Sequence, residues 1–260
     1  MSGWFSRGGF VVVVVSHGRS RTFVSEGVSA GMTEHILFFD IDGTMLSTGG
    51  AGQQAMELAL VEEFRLALPF ENILTAGRTD RGIENEIFVK YGIPLTDDQR
   101  QRFMRAYLDR LPDCLRRLPG GLLPGVRELL EQLSERSDVH LSLLTGNYAE
   151  GAWIKLRHFG IDQFFASGGY GDHHAHRDDV AHLALRTVSE ELQRAVPGAD
   201  AVVIGDTPAD IRCARAIDAR AVAVATGVYS AEELQPHLPD HLFGDLSETA
   251  IVIDRLLTRR

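Results

Sequence analysis

The chain has 260 residues, 44% hydrophobic and 24% charged, the balance of a soluble globular protein with room for one large domain or two smaller ones. Its formal charge of -10 disfavours nucleic acid or an anionic membrane as the main partner, yet leaves a small anionic substrate open, because a local metal ion or arginine outweighs distant charge. No apolar run approaches the roughly 20 residues of a membrane helix, and the two cysteines, Cys114 and Cys213, lack any metal-ligand spacing, so both read as buried fillers in a reducing, cytoplasmic compartment.

Residues 1–33 differ from the rest. They carry Arg7, Arg19 and Arg21, a short apolar run from Phe10 to Val15, and many glycines and serines, a composition that predicts a poorly ordered extension. Met32, just before the first convincing strand, is a candidate natural start. Gly27-Val-Ser29-Ala-Gly31 has the form of a nucleophile elbow, but that elbow needs a strand before it and a helix after it, and here the strand follows.

His35 opens a run, Ile36 to Phe39, that reads as a strand buried on both faces and ends in Asp40-Ile-Asp42-Gly-Thr44. Buried carboxylates are costly unless paired or bound to a cation. The economical arrangement puts Asp40 at the strand's end and Asp42 in a turn that Gly43 permits, at the edge where open α/β sheets bind ligands. Alone, this stretch equally fits a metal site, acid/base chemistry or a surface turn.

Gly50-Ala-Gly52-x-x-Ala55 sits too far past the strand to be a dinucleotide fingerprint and reads as a hinge. Residues 48–120 then form a helical insert. One helix carries Ala55, Leu58, Ala59, Val61 and Phe64; a second carries Ile83, Ile87 and Phe88 and stops at Gly92. Thr96-Asp-Asp-Gln99 opens a third with Phe103, Tyr107 and Leu111 on one face, and Pro112 is expected to begin a short fourth piece. Pro119-Gly-Gly and Pro124-Gly read as the linker back to the core.

From there helices alternate with strands. Helices are expected at Val126 to Leu133, Ala149 to Phe159 and Val180 to Val196, with a last one carrying Ile251, Leu256 and Leu257. Strands are expected at Val139 to Leu144, Ala201 to Ile204 and Ala221 to Ala225, and Phe164 to Gly169 is expected to hold a short strand and a turn. Alternation of this kind predicts a parallel, doubly wound α/β sheet built from residues 34–47 and 121–260.

Four strands end in polar or glycine-rich turns: Asp40/Asp42, Thr145/Gly146/Asn147, Asp206/Asp210 and Thr226/Gly227. In a parallel sheet these ends share one edge. Several carboxylates with a backbone carbonyl suit Mg2+, a hard cation. An ionised aspartate can attack phosphorus, a second carboxyl with a raised pKa can protonate the leaving alkoxide, and the Thr145 hydroxyl and Gly146 amide can hold phosphate oxygens.

Asp40-x-Asp42-Gly-Thr44, Thr145 at the end of the second core strand, and Gly205-Asp206-Thr207-Pro208-x-Asp210 together resemble the haloacid dehalogenase superfamily of phosphohydrolases, over roughly residues 34–230. The resemblance implies a Rossmann-like core with a mobile cap inserted after the first strand. It makes Asp40 the nucleophile and a metal ligand, and Asp42 the acid/base whose carbonyl also meets the metal. Thr145 becomes the phosphate-binding residue, with Asp206 and Asp210 as metal ligand and supporting acid. It also implies a small phosphorylated metabolite as substrate, 2-phosphoglycolate in particular. The superfamily's usual lysine is missing between residues 165 and 180, where Arg177 is the expected substitute. Gly77-Arg78-Thr79-Asp80 resembles a cap loop aimed at the core, with Arg78 placed to grip a substrate carboxylate or, alternatively, Thr79 or Asp80 serving as a helix cap. Trp153, Lys155 and Arg157 are expected to be packing and surface, and His173, His174 and His176 a solvated loop rather than a zinc site. Asp42 argues against a dehalogenase. A sugar phosphomutase and a non-catalytic binding protein on the same fold are the rivals.

Overall fold

The computed structural model describes residues 35–66 and 74–258, so the extension and its Gly27–Gly31 motif lie outside the described residues. Strand β1 (His35–Phe39) is central. Beside it run β4 (Val139–Leu144) and β6 (Ala201–Gly205), flanked by β5 (Gly168–Gly169), β7 (Arg220–Val224) and β8 (His241–Phe243) in the order β5-β4-β1-β6-β7-β8, every pair parallel. The period-two alternation of a strand splits these residues between two cores. Leu37, Phe39, Leu143 and Ile204 face one side, under helices α4 (Val126–Ser134), α5 (Ala149–Phe159) and α9 (Thr249–Leu257). Ile36, Phe38, Val203 and Ala221 face the other, under α6 (Arg177–Glu191) and α7 (Pro208–Ala216). Because β1 is buried on both faces, only its end is free to carry polar groups.

The insert has its own apolar cluster, built on α1 (Ala51–Phe64), α2 (Asp80–Tyr91) and α3 (Asp97–Arg117). Its two connections pair as a small antiparallel ribbon, β2 (Leu46–Ser47) with β3 (Gly121–Leu122), so the segment expected to be a plain return linker is half of a two-strand stem. Pro112 does not start a new piece. It lies inside the 21-residue α3, whose apolar face continues across it from Leu111 to Cys114 and Leu115. Burial of that face outweighs the hydrogen bond that proline removes. Helix α6 starts at Arg177, three residues earlier than expected, and stops at Glu191, just before Gln193 takes a left-handed φ of 51°. Strand β8 and the short α8 (Ala231–Leu234) carry too little apolar pattern to be seen in the sequence.

Candidate active site

The C-terminal ends of β1, β4, β6 and β7 meet beneath the insert and line one cavity of about 430 Å³. Asp40 follows β1 directly and its amide bonds Ile204 O at 3.0 Å, which fixes it level with the end of β6. Asp206 follows β6, and its Oδ1 accepts the Thr44 hydroxyl at 2.9 Å. Gly43 takes a left-handed φ of 83°, and a Cβ there would overlap the Asp206 carboxylate, so the turn after β1 can close over the acid only as glycine. Thr226 bonds the Gly43 carbonyl at 2.6 Å and ties in the end of β7.

Asp40, Asp206 and Asp210 bring carboxylate oxygens within 4.8 Å of one another, all three buried. Burial, with the neighbouring charges of Asp210 and Asp40, raises the Asp206 pKa to about 8. Burial raises Asp40 to about 6, against the opposing pull of Arg177. An all-oxygen donor set whose negative charge is held so poorly fits a hard cation. Asp40 and Asp206 have oxygens to offer it. Asp210 is engaged elsewhere: its Oδ2 accepts the Thr207 amide and hydroxyl at 3.0 and 2.8 Å, and its Oδ1 lies 2.6 Å from Arg177. The Asp42 side chain points away from the trio, toward Asn147 and Lys155.

Arg177, at the first position of α6, is 4% exposed. Its Nη2 lies 2.9 Å from Asp40 Oδ1 and 2.6 Å from Asp210 Oδ1. Neither approach is aligned as a hydrogen bond, and its buried Nε has no acceptor among the described residues, so the guanidinium keeps donors for an incoming anion. Burial opposes its charge, and Asp210 and Asp40 more than offset that. Across the cavity Thr145 Oγ1 accepts from Asn147 Nδ2 at 2.7 Å, leaving its own proton to donate. Asn147 Nδ2 also reaches Asp42 Oδ2 at 2.8 Å.

Lys155, expected at the surface, is instead buried in the site. Its ammonium donates to Asp42 Oδ2 and to Asn147 Oδ1, both at 2.6 Å. The signal lies in the helical period: Gly151, Ala152, Lys155 and Leu156 form the buried face of α5, and a lysine there needs an acid. Of its neighbours, Trp153 is half-buried and Arg157 exposed. Arg78 lines the cavity, but its guanidinium is held within the insert by Glu86, by Leu74 O at 3.2 Å and by Gly82 O at 3.1 Å. Thr79 caps α2, accepting from the Gly82 amide at 3.0 Å. His173 and His176 are exposed in the loop before α6.

The insert is bolted to the core beside this site. Asp80 N bonds Gly146 O at 2.7 Å and its Oδ2 accepts the Tyr148 amide at 2.8 Å. Burial raises the Asp80 pKa to about 7, partly offset by Lys155. Glu84, 1% exposed, accepts from the Tyr148 hydroxyl and pairs with Arg100, with Arg81 at 3.5 Å. Arg81 also clasps Asp172 O through two nitrogens, at 2.9 and 2.7 Å.

Residues 37–215 match the family model of the haloacid dehalogenase-like hydrolases, and the chain belongs to that family. It is 29% identical over 225 residues to a phosphoglycolate phosphatase of Caulobacter vibrioides, covering 83% of this chain and 90% of that protein. It is 26% identical over 228 residues to the probable phosphatase IndB of Dickeya dadantii, covering 85% and 94%. Among solved structures, a hydrolase from Pseudomonas syringae superposes with a TM-score of 0.66 at 20% identity, covering 86% of this chain and all of that one. CbbY from Rhodobacter sphaeroides, in complex with phosphate, superposes at 0.65 and 22%, covering 84% and 96%. These likenesses confirm the expected α/β core, a parallel six-stranded sheet between helices.

Proposed function

We propose that this hydrolase is a magnesium-dependent phosphatase of small phosphomonoesters that works in the cytoplasm through an aspartyl-phosphate, with 2-phosphoglycolate as the leading substrate. The observation that carries the reading is the pairing of a buried carboxylate trio with a buried arginine whose donors lack aligned acceptors. The names of the two relatives, both phosphatases, point the same way.

Asp40 and Asp206, with the backbone carbonyl of Asp42, would hold the ion, and Asp210 would support them through Arg177. Bound magnesium would neutralise phosphate charge and keep Asp40 ionised. Arg177, Thr145 and the Gly146 amide grip the phosphoryl oxygens. An Asp40 oxygen attacks phosphorus, the bond to the leaving oxygen breaks, and the carboxyl of Asp42 gives that oxygen its proton. Asp42, now a carboxylate, takes a proton from water as the water attacks the phosphoryl group, and Asp40 is released. Lys155 and Asn147 position Asp42 for both transfers.

Phosphate release is measured with and without magnesium across 2-phosphoglycolate, hexose phosphates and other small monoesters, for wild type and Asp40→Asn. The reading predicts metal-dependent release that the variant loses. Equal release by both proteins sinks it, and transfer between sugar hydroxyls without net release would make the chain a mutase.

A further inference from the structure

Resting on the phosphatase reading, we infer that the insert side of the cavity holds a second anion site, formed by the first turn of α1, the Lys155 ammonium and the Tyr107 hydroxyl, so that the substrate is a monoester whose leaving group carries its own carboxylate or phosphate. Three independent features converge there. Tyr107 is fully buried, lines the cavity, and its hydroxyl has no hydrogen-bond partner among the described residues. A buried hydroxyl left without a partner is destabilising, and a bound acceptor removes that penalty. Lys155 uses two of an ammonium's three donors, on Asp42 and Asn147, which leaves the third. Helix α1 begins at Ala51 behind Gly50, which supplies no side-chain cap, and Gly50, Gly52 and Gln53 line the cavity. The Ala51 amide bonds Thr48 O at 3.2 Å, which leaves the amides of Gly52 and Gln53 at the positive end of this 14-residue helix, beside the Lys155 ammonium. A Cβ on Gly52 would lie 3.6 Å from the Lys155 Nζ, which sets the start of α1 in van der Waals reach of the ammonium.

Two carboxylates lie near. Asp42 is held by Lys155 itself, and Asp80 accepts the Tyr148 amide at 2.8 Å and lies in the field of the same ammonium, so both carboxylates have partners of their own. Arg78, the cation expected for this role, is occupied within the insert.

The test compares 2-phosphoglycolate with 2-hydroxyethyl phosphate, which has the same length and no second charge, and with ethylene glycol bisphosphate, which carries a second phosphate. Wild type should favour at least one charged ester over the neutral one by ~10-fold or more in kcat/KM, and the better of the two names the anion. Gly52→Asp places a carboxylate in the anion's place, and Tyr107→Phe removes its hydroxyl; in each, the preference should shrink, chiefly through KM. Calorimetric binding of the same esters to Asp40→Asn, alone and combined with Gly52→Asp, reads the site without turnover. Hydrolysis with no preference in either assay overturns the second site and leaves the phosphatase standing. No hydrolysis, but a binding preference lost with Gly52→Asp, does the reverse. A preference lost in Arg78→Gln and kept in Gly52→Asp would also overturn the assignment.

Discussion

The two walls of the cavity are made differently. The core wall is assembled from strand ends, where the backbone ladder sets each carboxylate to within a residue: Asp40 is pinned by Ile204 O and Asp206 by Thr44. The insert wall is assembled from helix faces: Gly52 on α1 and Tyr107 on α3 meet Lys155, which reaches up from the core helix α5, and the three are far from one another in sequence. A sheet edge collects chemistry from short contiguous motifs, whereas a pocket between helices collects it from isolated positions. The first should govern whether the reaction occurs, and the second which ester enters.

The sharpest way to break that division is at the core wall. Asp40→Asn should lower turnover by ~10⁴-fold or more, as loss of a nucleophile does, while leaving a measurable affinity for the phosphate ester. A variant with substantial residual turnover would remove the distinction between the walls. Next in size is the bolt between them. Glu84→Ala leaves Arg100 and the Tyr148 hydroxyl without their buried acid, and should destabilise the protein by about 3 kcal/mol in urea unfolding. If the insert moves freely over the core, the loss will be far smaller.

Lys155 belongs to both walls. Lys155→Met should reduce kcat by ~10- to 100-fold, the scale of one lost charged hydrogen bond, because Asp42 loses the cation that positions it. An unchanged kcat with only KM raised would assign Lys155 to the insert wall alone.

The smallest effect concerns stability. Asp40, Asp80 and Asp206 have pKa values raised to about 6, 7 and 8, so the folded metal-free protein binds more protons than the unfolded chain above pH ~4. Their contribution is therefore favourable below that pH and is lost as pH rises toward 8. Asp206→Asn should stabilise the metal-free protein at pH 8 by ~1 kcal/mol, flatten the pH dependence, and abolish the stabilisation that magnesium gives wild type. Thermal unfolding with and without magnesium checks all three.

What could be read in the sequence follows the same division. Asp40, Asp42, Thr145 and Asp206 were legible because an apolar run ending in acid or hydroxyl fixes both the element and the position. Arg177 was expected only as the substitute for the lysine that the family resemblance implies, and its guanidinium lies 2.9 Å from Asp40. Lys155 was not, because a single lysine in an amphipathic helix looks like surface until its helical face is traced through Gly151, Ala152 and Leu156. Tyr107 reads as a core residue, which its ring is; only the unpaired hydroxyl distinguishes it, and that depends on a contact no local pattern encodes. Pro112 misled for the opposite reason: local propensity was clear, but tertiary burial of the α3 face overrode it.

In the proposed mechanism the phosphoryl group passes first to Asp40 and then to water. The most direct test follows the stereochemical course of hydrolysis, in 17O-labelled water, of a phosphorothioate ester made chiral at phosphorus with 16O and 18O, so that the released thiophosphate is itself chiral. Two in-line displacements predict net retention of configuration. Net inversion would mean that water attacks the ester directly, and would contradict Asp40 as the nucleophile.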